Sequence, residues 1–146
     1  MASADEIIAA LDMQPHPEGG YFVETFRDDE GSNGRGHCTA IYFLLKAGER
    51  SHWHRVDAVE SWFWHDGAPL SLKMAENGQN VVEHNLGPDI LNGQAPQAIV
   101  PKNAWQSAQS LGDWTLVSCV VAPAFQFEGF TLAPEGWEPD GSSSAS

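Results

Sequence analysis

The chain has 146 residues, the length of one ordinary domain, and carries 20 acidic against 7 basic side chains for a formal net charge of −13. Such a surface repels phosphate backbones, so we do not expect a nucleic acid partner. The longest apolar runs, at 40–45 and 116–122, are far shorter than the roughly 20 residues of a membrane span. The N-terminus has no signal-peptide pattern. These features predict a cytoplasmic protein without a membrane partner.

The first element in chain order is a short N-terminal helix. Ser3 and Glu6 stand at the spacing of a capping box, directly ahead of Ile7, Ile8 and Leu11, and such a reciprocal cap marks the start of a helix. We expect its apolar residues to pack on the outside of a sheet.

A series of short strands follows the helix. Residues 21–27 alternate between two sets of side chains, as a strand does. Nine further strands are predicted at 37–45, 51–55, 59–64, 70–74, 81–86, 98–100, 105–108, 114–122 and 127–132. Close spacing with glycine-containing turns favours an antiparallel sandwich or barrel. The sequence therefore predicts one all-β domain over residues 1–138 and a disordered Ser-rich tail at 139–146.

The two cysteines, Cys38 and Cys119, each lie in an apolar, strand-like run. This placement favours buried free thiols in a reducing compartment. A bridge between neighbouring strands is the alternative. Neither cysteine is assigned as a nucleophile.

The most informative motif is Ser51-His52-Trp53-His54, followed by Glu60. Alternate residues of a strand point the same way, so His52 and His54 are expected to converge on one spot. Two imidazoles and a carboxylate form a ligand set for a mononuclear metal that leaves positions open for substrate. The competing interpretation is that both histidines are simply hydrogen-bonded polar residues in a barrel mouth.

Two segments of the chain resemble the motifs of the cupin superfamily. The first motif is matched by Gly48, His52, His54, Glu60 and Gly67. The second is matched by the segment 101–106, where Asn103 stands for the motif's glycine and Gln106 for its metal-binding histidine. Asparagine tolerates positive φ.

An ordered set of motifs from about residue 5 to residue 138 resembles the DUF985 (Cupin_5) family. The matching pieces are 16–21, 51–55 with Glu60 and Trp62, 86–89, 96–101, 105–106 and 121–130. The resemblance implies a cupin-type antiparallel β-barrel or jelly roll, often a homodimer, of undetermined biochemical role.

From these motifs we predict a set of site residues. The predicted catalytic residues are His52, His54, Glu60 and Tyr21. The predicted ligand-binding residues are Glu18, Arg27, Ser51, Arg55, Trp62 and Gln106. The predicted metal ligands are His52, His54, Glu60 and Gln106, for Fe, Mn, Ni or Zn. A glutamine oxygen is a weak ligand, so metal affinity is expected to be lower than in four-ligand cupins.

Three cations bracket the histidines, namely Lys46, Arg50 and Arg55. One interpretation is that they steer an anionic small molecule toward the cavity. The other is that they form surface ion pairs with carboxylates such as Glu49 and Asp57.

Three functions remain open from the sequence. The first is a metal-dependent cupin enzyme. The second is a metal-free isomerase resembling sugar-nucleotide epimerases, in which a histidine is the base and Tyr21 or Glu18 the acid. The third is a binding module for a nucleotide, sugar or other small ligand, without turnover. The fold alone does not choose among them.

Overall fold

The computed structural model describes residues 2–140. Within that range it contains one α-helix, α1 (Ala4–Leu11), and short strands joined by turns. The strands are β1 (Gln14–Pro15), β2 (Tyr21–Arg27), β3 (Thr39–Lys46), β4 (Arg50–Val56), β5 (Val59–Gly67), β6 (Leu70–Ala75), β7 (Val82–Leu86), β8 (Gln97–Val100), β9 (Trp105–Ser110), β10 (Trp114–Ala122) and β11 (Phe130–Leu132).

The strands form two antiparallel sheets with the main core between them. One sheet has six strands in the order β1-β2-β3-β10-β5-β8, and the other has five in the order β11-β4-β9-β6-β7. Phe43, Leu45 and Trp62 from the first sheet pack against Leu70 and Leu72 from the second. The predicted all-β jelly roll is confirmed, although the sheets do not close into a barrel.

Helix α1 lies outside the six-stranded sheet, as the sequence predicted. The Ser3 hydroxyl accepts from the Glu6 backbone N–H at 3.2 Å, and the Glu6 carboxylate accepts from the Ser3 N–H at 2.9 Å. The apolar side of the helix packs against Leu44 and Trp114. Because the capping box and the apolar pattern agree, this element was predictable from local sequence.

A β-bulge interrupts β4. Ser51 pairs with Ala108 and His54 with Gln106, so three steps along β4 match two along β9. The extra residue breaks the strict alternation of side chains. Ser51 and His54 are therefore both buried, while His52 is only partly buried.

The turn between β1 and β2 docks onto this bulge. The backbone N–H of His52 donates to the carbonyl of Glu18 at 2.8 Å. Gly19 makes the approach possible, because it has φ +109° and a Cβ there would lie 2.2 Å from the Arg50 carbonyl oxygen. This contact brings the Glu18 side chain beside β4.

Several local expectations can be compared with the structure. Asn103 adopts φ +66°, as expected for the residue in place of the motif's glycine. Cys38 and Cys119 are free thiols. Strand β11 begins at Phe130, because residues 127–129 form a 3-10 turn where strand was predicted.

Near the predicted C-terminal boundary, Asp140 forms a parallel β-bridge with Gln79. The rest of the predicted tail, 141–146, lies outside the described residues. Across residues 2–140, no helix is both long enough and apolar enough to cross a membrane.

We predict that Gly19→Ala destabilises the protein more than Gly48→Ala does. Both glycines have positive φ, but only at Gly19 would the new Cβ collide with backbone. The shared φ penalty is about 1 kcal/mol, and the collision adds to it in Gly19→Ala alone. Urea unfolding of both variants measures the difference, and equal losses would contradict the close approach.

Candidate functional site

A cavity opens between the two sheets, lined by residues of β2 to β5, β10, β11 and the loops beside them. Its empty volume is about 540 Å³, including space open to solvent. Its ionisable and polar lining includes His16, Glu18, Glu24, Arg27, His54 and Glu60. Its aromatic lining is Phe22, Phe125, Phe127 and Phe130. The cavity thus combines a polar interior with apolar surface.

Glu18 and His54 form a buried pair in this cavity. The Nδ1 atom of His54 lies 2.9 Å from Glu18 Oε2 and 2.8 Å from the carbonyl oxygen of His52. A carbonyl oxygen only accepts, so Nδ1 carries a proton. The Ser51 hydroxyl donates to the same Glu18 oxygen. The contacts of Nδ1 leave Nε2 as the ring nitrogen for a ligand.

These contacts shift the pKa values of both partners. Burial alone would lower the pKa of His54, but the charge and hydrogen bond of Glu18 and the charge of Glu60 outweigh it and raise the pKa to about 9. Burial alone would raise the pKa of Glu18, but the charge of His54 and its hydrogen bond reverse this and lower it. The pair is therefore an imidazolium and a carboxylate at neutral pH.

His16 contacts the same carboxylate from the other side, but as a neutral ring. Its Nδ1 accepts the Glu18 backbone N–H at 3.1 Å, which identifies Nδ1 as unprotonated. Burial lowers the pKa of His16, although the charge of Glu18 acts to raise it. The 3.3 Å approach of His16 Nδ1 to Glu18 Oε1 is therefore not an ion pair at neutral pH.

A second polar chain reaches the cavity through Glu60. The indole N–H of Trp62 donates to Gln106 Oε1 at 2.9 Å, and Gln106 Nε2 donates to Glu60 Oε1 at 2.9 Å. An indole nitrogen only donates, so it sets the direction of the amide. All three side chains are buried.

Glu60 holds its proton more tightly than an ordinary glutamate. Burial raises its pKa to about 7, a shift opposed by the charge of His54 and supported by that of Glu18. The Cys119 thiol also lines the cavity. Burial raises the pKa of Cys119 well above its usual range, so it is a neutral thiol there.

The expected convergence of His52 and His54 is wrong. The bulge in β4 turns the His52 ring away from the cavity, and its Nε2 lies 3.0 Å from the Pro134 carbonyl oxygen. His54 and Glu60 do line one cavity. The pattern His-x-His predicts a shared face only when the strand is regular.

Two other predicted site residues lie outside the cavity. Tyr21 belongs to the cluster beneath α1, and the Lys46 ammonium lies 5.1 Å from its ring centroid. The Arg55 guanidinium lies 4.9 Å from the ring centroid of Trp105, which is not a cavity residue either. Neither Tyr21 nor Arg55 lines the cavity that contains His54.

The remaining predicted ligand-binding residues are in or next to the cavity. Glu18 and Arg27 line it, and Ser51 touches it through Glu18. Trp62 and Gln106 stand behind Glu60 and orient it.

The cations expected to steer an anion lie elsewhere. Lys46 pairs with Asp5 at 2.8 Å, not with Glu49. Arg50 donates to the Ser107 hydroxyl at 3.0 Å. Asp57 is paired with Arg35 at 2.8 Å. The three cations that led the sequence analysis to an anionic ligand therefore give no support for such a ligand in the cavity.

Sequence reasoning missed several residues of the cavity. His16 carried a usable signal, since it precedes Glu18 by two residues in a tight Gly-containing turn. Cys119 carried none, because only the pairing of β10 with its neighbours brings it there. Phe125, Phe127 and Phe130 belong to the family motif at 121–130, but that motif did not predict that they line the cavity.

Comparison with known proteins identifies the family. The sequence profile of Cupin_5, described as Cupin superfamily (DUF985), matches residues 5–133. The chain belongs to this cupin family. No functionally curated protein matches it.

Solved structures agree with this assignment. A Shewanella oneidensis protein is 36% identical with a TM-score of 0.87, covering 91% of this chain and 85% of that chain. A hypothetical protein from Leishmania major is 29% identical with a TM-score of 0.83, covering 90% and 88%. A variant of oxalate decarboxylase from Bacillus subtilis is 14% identical with a TM-score of 0.63, covering 84% and 30%. The last likeness concerns the fold alone.

The predicted metal ligands of this cupin do not fit a divalent ion. His52 lies outside the cavity, and the oxygen of Gln106 already accepts the Trp62 N–H, so its amide nitrogen faces Glu60. An amide nitrogen is not a metal ligand. Among residues 2–140 no group of three or more His, Cys, Asp or Glu side chains could hold a metal ion.

We predict that stability falls as pH rises from about 6.5 to 9, above the range in which the lowered pKa of His16 acts in the opposite direction. The folded-state pKa of Glu60 is about 7 against an ordinary 4.5, and that of His54 about 9 against 6.5. Both groups bind protons more tightly when folded, so their stabilisation is present at low pH and lost between 4.5 and 9. Urea unfolding across this range measures it. His54→Gln should flatten the fall above pH 6.5, and an unchanged slope would contradict the assignment.

We predict that Trp62→Phe destabilises this cupin by about 1–3 kcal/mol more than Trp53→Phe, since it leaves Gln106 Oε1 buried without a donor. Trp53 is a matched control. It is equally buried at 1% exposure, and its Nε1 has no hydrogen-bond partner within the described part of the chain. Equal losses in urea unfolding would contradict the proposed chain from Trp62 to Glu60.

Proposed function

We propose that this cupin is an isomerase that moves a proton on a small carbonyl compound without a metal. His54 is the acid and Glu60 is the base. The observation that supports this most is the placement of a buried imidazolium and a carboxyl group with a pKa of about 7 in one cavity. A cavity in which burial and neighbouring charges shift the pKa values of two ionisable groups is typical of acid–base sites.

His54 supplies the acid. Its Nδ1 is held by Glu18 and the His52 carbonyl, which fixes the ring and leaves Nε2–H to donate to a substrate oxygen. Glu18 stabilises the protonated ring. This is the role that a buried carboxylate has beside a catalytic histidine.

Glu60 supplies the base. With a pKa of about 7, a large fraction is ionised at neutral pH, and its conjugate acid can return a proton with little penalty. Glu60 takes a proton from the carbon next to the carbonyl, while His54 gives its Nε2 proton to the carbonyl oxygen. The resulting enol collapses when the carbon is reprotonated and His54 recovers its proton.

A binding module without turnover would use the same cavity. Recovery of a bound ligand with no deuterium gained would favour that function over the isomerase.

The isomerase is tested by exchange of carbon-bound hydrogen with solvent. The protein is incubated in D₂O with a panel of ketones, aldehydes and keto sugars, and deuterium incorporation is followed by NMR. We expect incorporation beside one carbonyl, reduced about 100-fold or more in Glu60→Gln and in His54→Gln.

His52→Gln is the matched control. It changes a histidine two residues from His54 whose ring lies outside the cavity, so exchange should stay at the wild-type rate. Loss of exchange in His52→Gln, with wild-type exchange in His54→Gln, would overturn the assignment. The absence of exchange across the panel would overturn the isomerase.

A further inference from the structure

The charges that line the cavity limit the class of ligand that it can bind. Three carboxyl groups, Glu18, Glu24 and Glu60, face two cationic side chains, Arg27 and His54. Each cation already has a carboxylate partner. No net positive charge is available in the lining to offset a phosphate.

Arg27 shows this most clearly. Its Nε and one terminal nitrogen donate to the two oxygens of Glu24, both at 2.9 Å, and the other terminal nitrogen donates to the Phe125 carbonyl at 3.0 Å. A two-point contact of this kind balances the guanidinium charge with a carboxylate and fixes its plane. A phosphate at the mouth would therefore compete with Glu24.

The mouth also offers apolar surface. Phe125, Phe127 and Phe130 meet edge to face, with centroid distances of 5.0, 5.8 and 6.1 Å. Phe127 is 59% exposed, although large aromatic side chains are usually buried. A ligand ring or branched alkyl group at this cluster would cover that surface, and such burial is favourable.

We infer that the ligand is an uncharged molecule with one aromatic or branched apolar group and one carbonyl, rather than a nucleotide or other phosphate. The apolar group contacts the cluster of Phe125, Phe127 and Phe130, and the carbonyl reaches His54. This inference rests on the proposed function for the carbonyl end, while the charge balance and the exposed cluster argue for the rest independently.

The test compares three probes that share a phenyl ring and differ in charge. These are 4-phenyl-2-butanone, which is neutral, phenylpyruvate, a monoanion, and phenyl phosphate, a dianion. Calorimetry on the full-length chain should give a dissociation constant for the neutral ketone at least about tenfold below that for phenyl phosphate, since an uncompensated charge resists desolvation. Equal or tighter binding of phenyl phosphate, or no binding of the ketone at millimolar concentration, overturns the inference.

Two variants assign the contacts. Phe127→Ala should weaken 4-phenyl-2-butanone about tenfold, as expected for lost apolar contact, whereas Leu91→Ala, at a site 96% exposed and outside the cavity, should not. Both side chains are largely exposed, so neither variant removes a side chain from the buried core. An unchanged affinity in Phe127→Ala would contradict the role of the cluster.

The second variant changes charge alone. Glu24→Gln frees Arg27 and should tighten phenyl phosphate about fivefold while leaving the ketone within about twofold. Glu76→Gln makes the same charge change away from the cavity and should alter neither.

Calorimetry tests the ligand class and deuterium exchange tests the isomerase, so either proposal can fail without the other. Tight binding of the ketone without deuterium at its α-carbons supports the ligand class and contradicts the isomerase for that ketone. Deuterium exchange into a phosphorylated substrate would support the isomerase and contradict the ligand class.

Discussion

The buried contact between Glu18 and His54 is the interaction on which the arrangement of the cavity depends. Removing two charges from water is unfavourable, and their attraction compensates only with good geometry and further hydrogen bonds. Ser51 and the His52 carbonyl supply those bonds. Loss of either partner would leave the other as an uncompensated charge in the interior, so the pair constrains both the turn that carries Glu18 and the strand that carries His54.

Backbone geometry makes that contact possible. The bulge in β4 turns Ser51 and His54 to the same side, and the backbone N–H of His52 ties the Glu18 turn to the strand. Gly19 allows the turn to lie against Arg50, where a side chain would collide. A local irregularity in one strand and a glycine in another segment thus determine which side chains meet.

The sequence predicted the architecture better than the site. Helix α1 and the strands were predictable, because a capping box and alternation are local patterns. The bulge has no local signature in the sequence. The sequence therefore predicted that His52 and His54 share one face, whereas the His52 ring lies outside the cavity that His54 lines. Glu18 was found by family resemblance, but its contact with His54 depends on docking of distant segments. The aromatic cluster, likewise, forms only when β11 pairs with β4.

The contact of Gln106 with Glu60 has a consequence for the protonation of that carboxyl group. Its amide hydrogen meets an oxygen that can accept whether the carboxyl is charged or neutral, and Trp62 holds the amide from behind. Glu60 can therefore gain or lose a proton with that oxygen still hydrogen-bonded to Gln106. A histidine at position 106 would itself titrate. Its hydrogen bond to Glu60 would then change in strength when Glu60 gains or loses a proton.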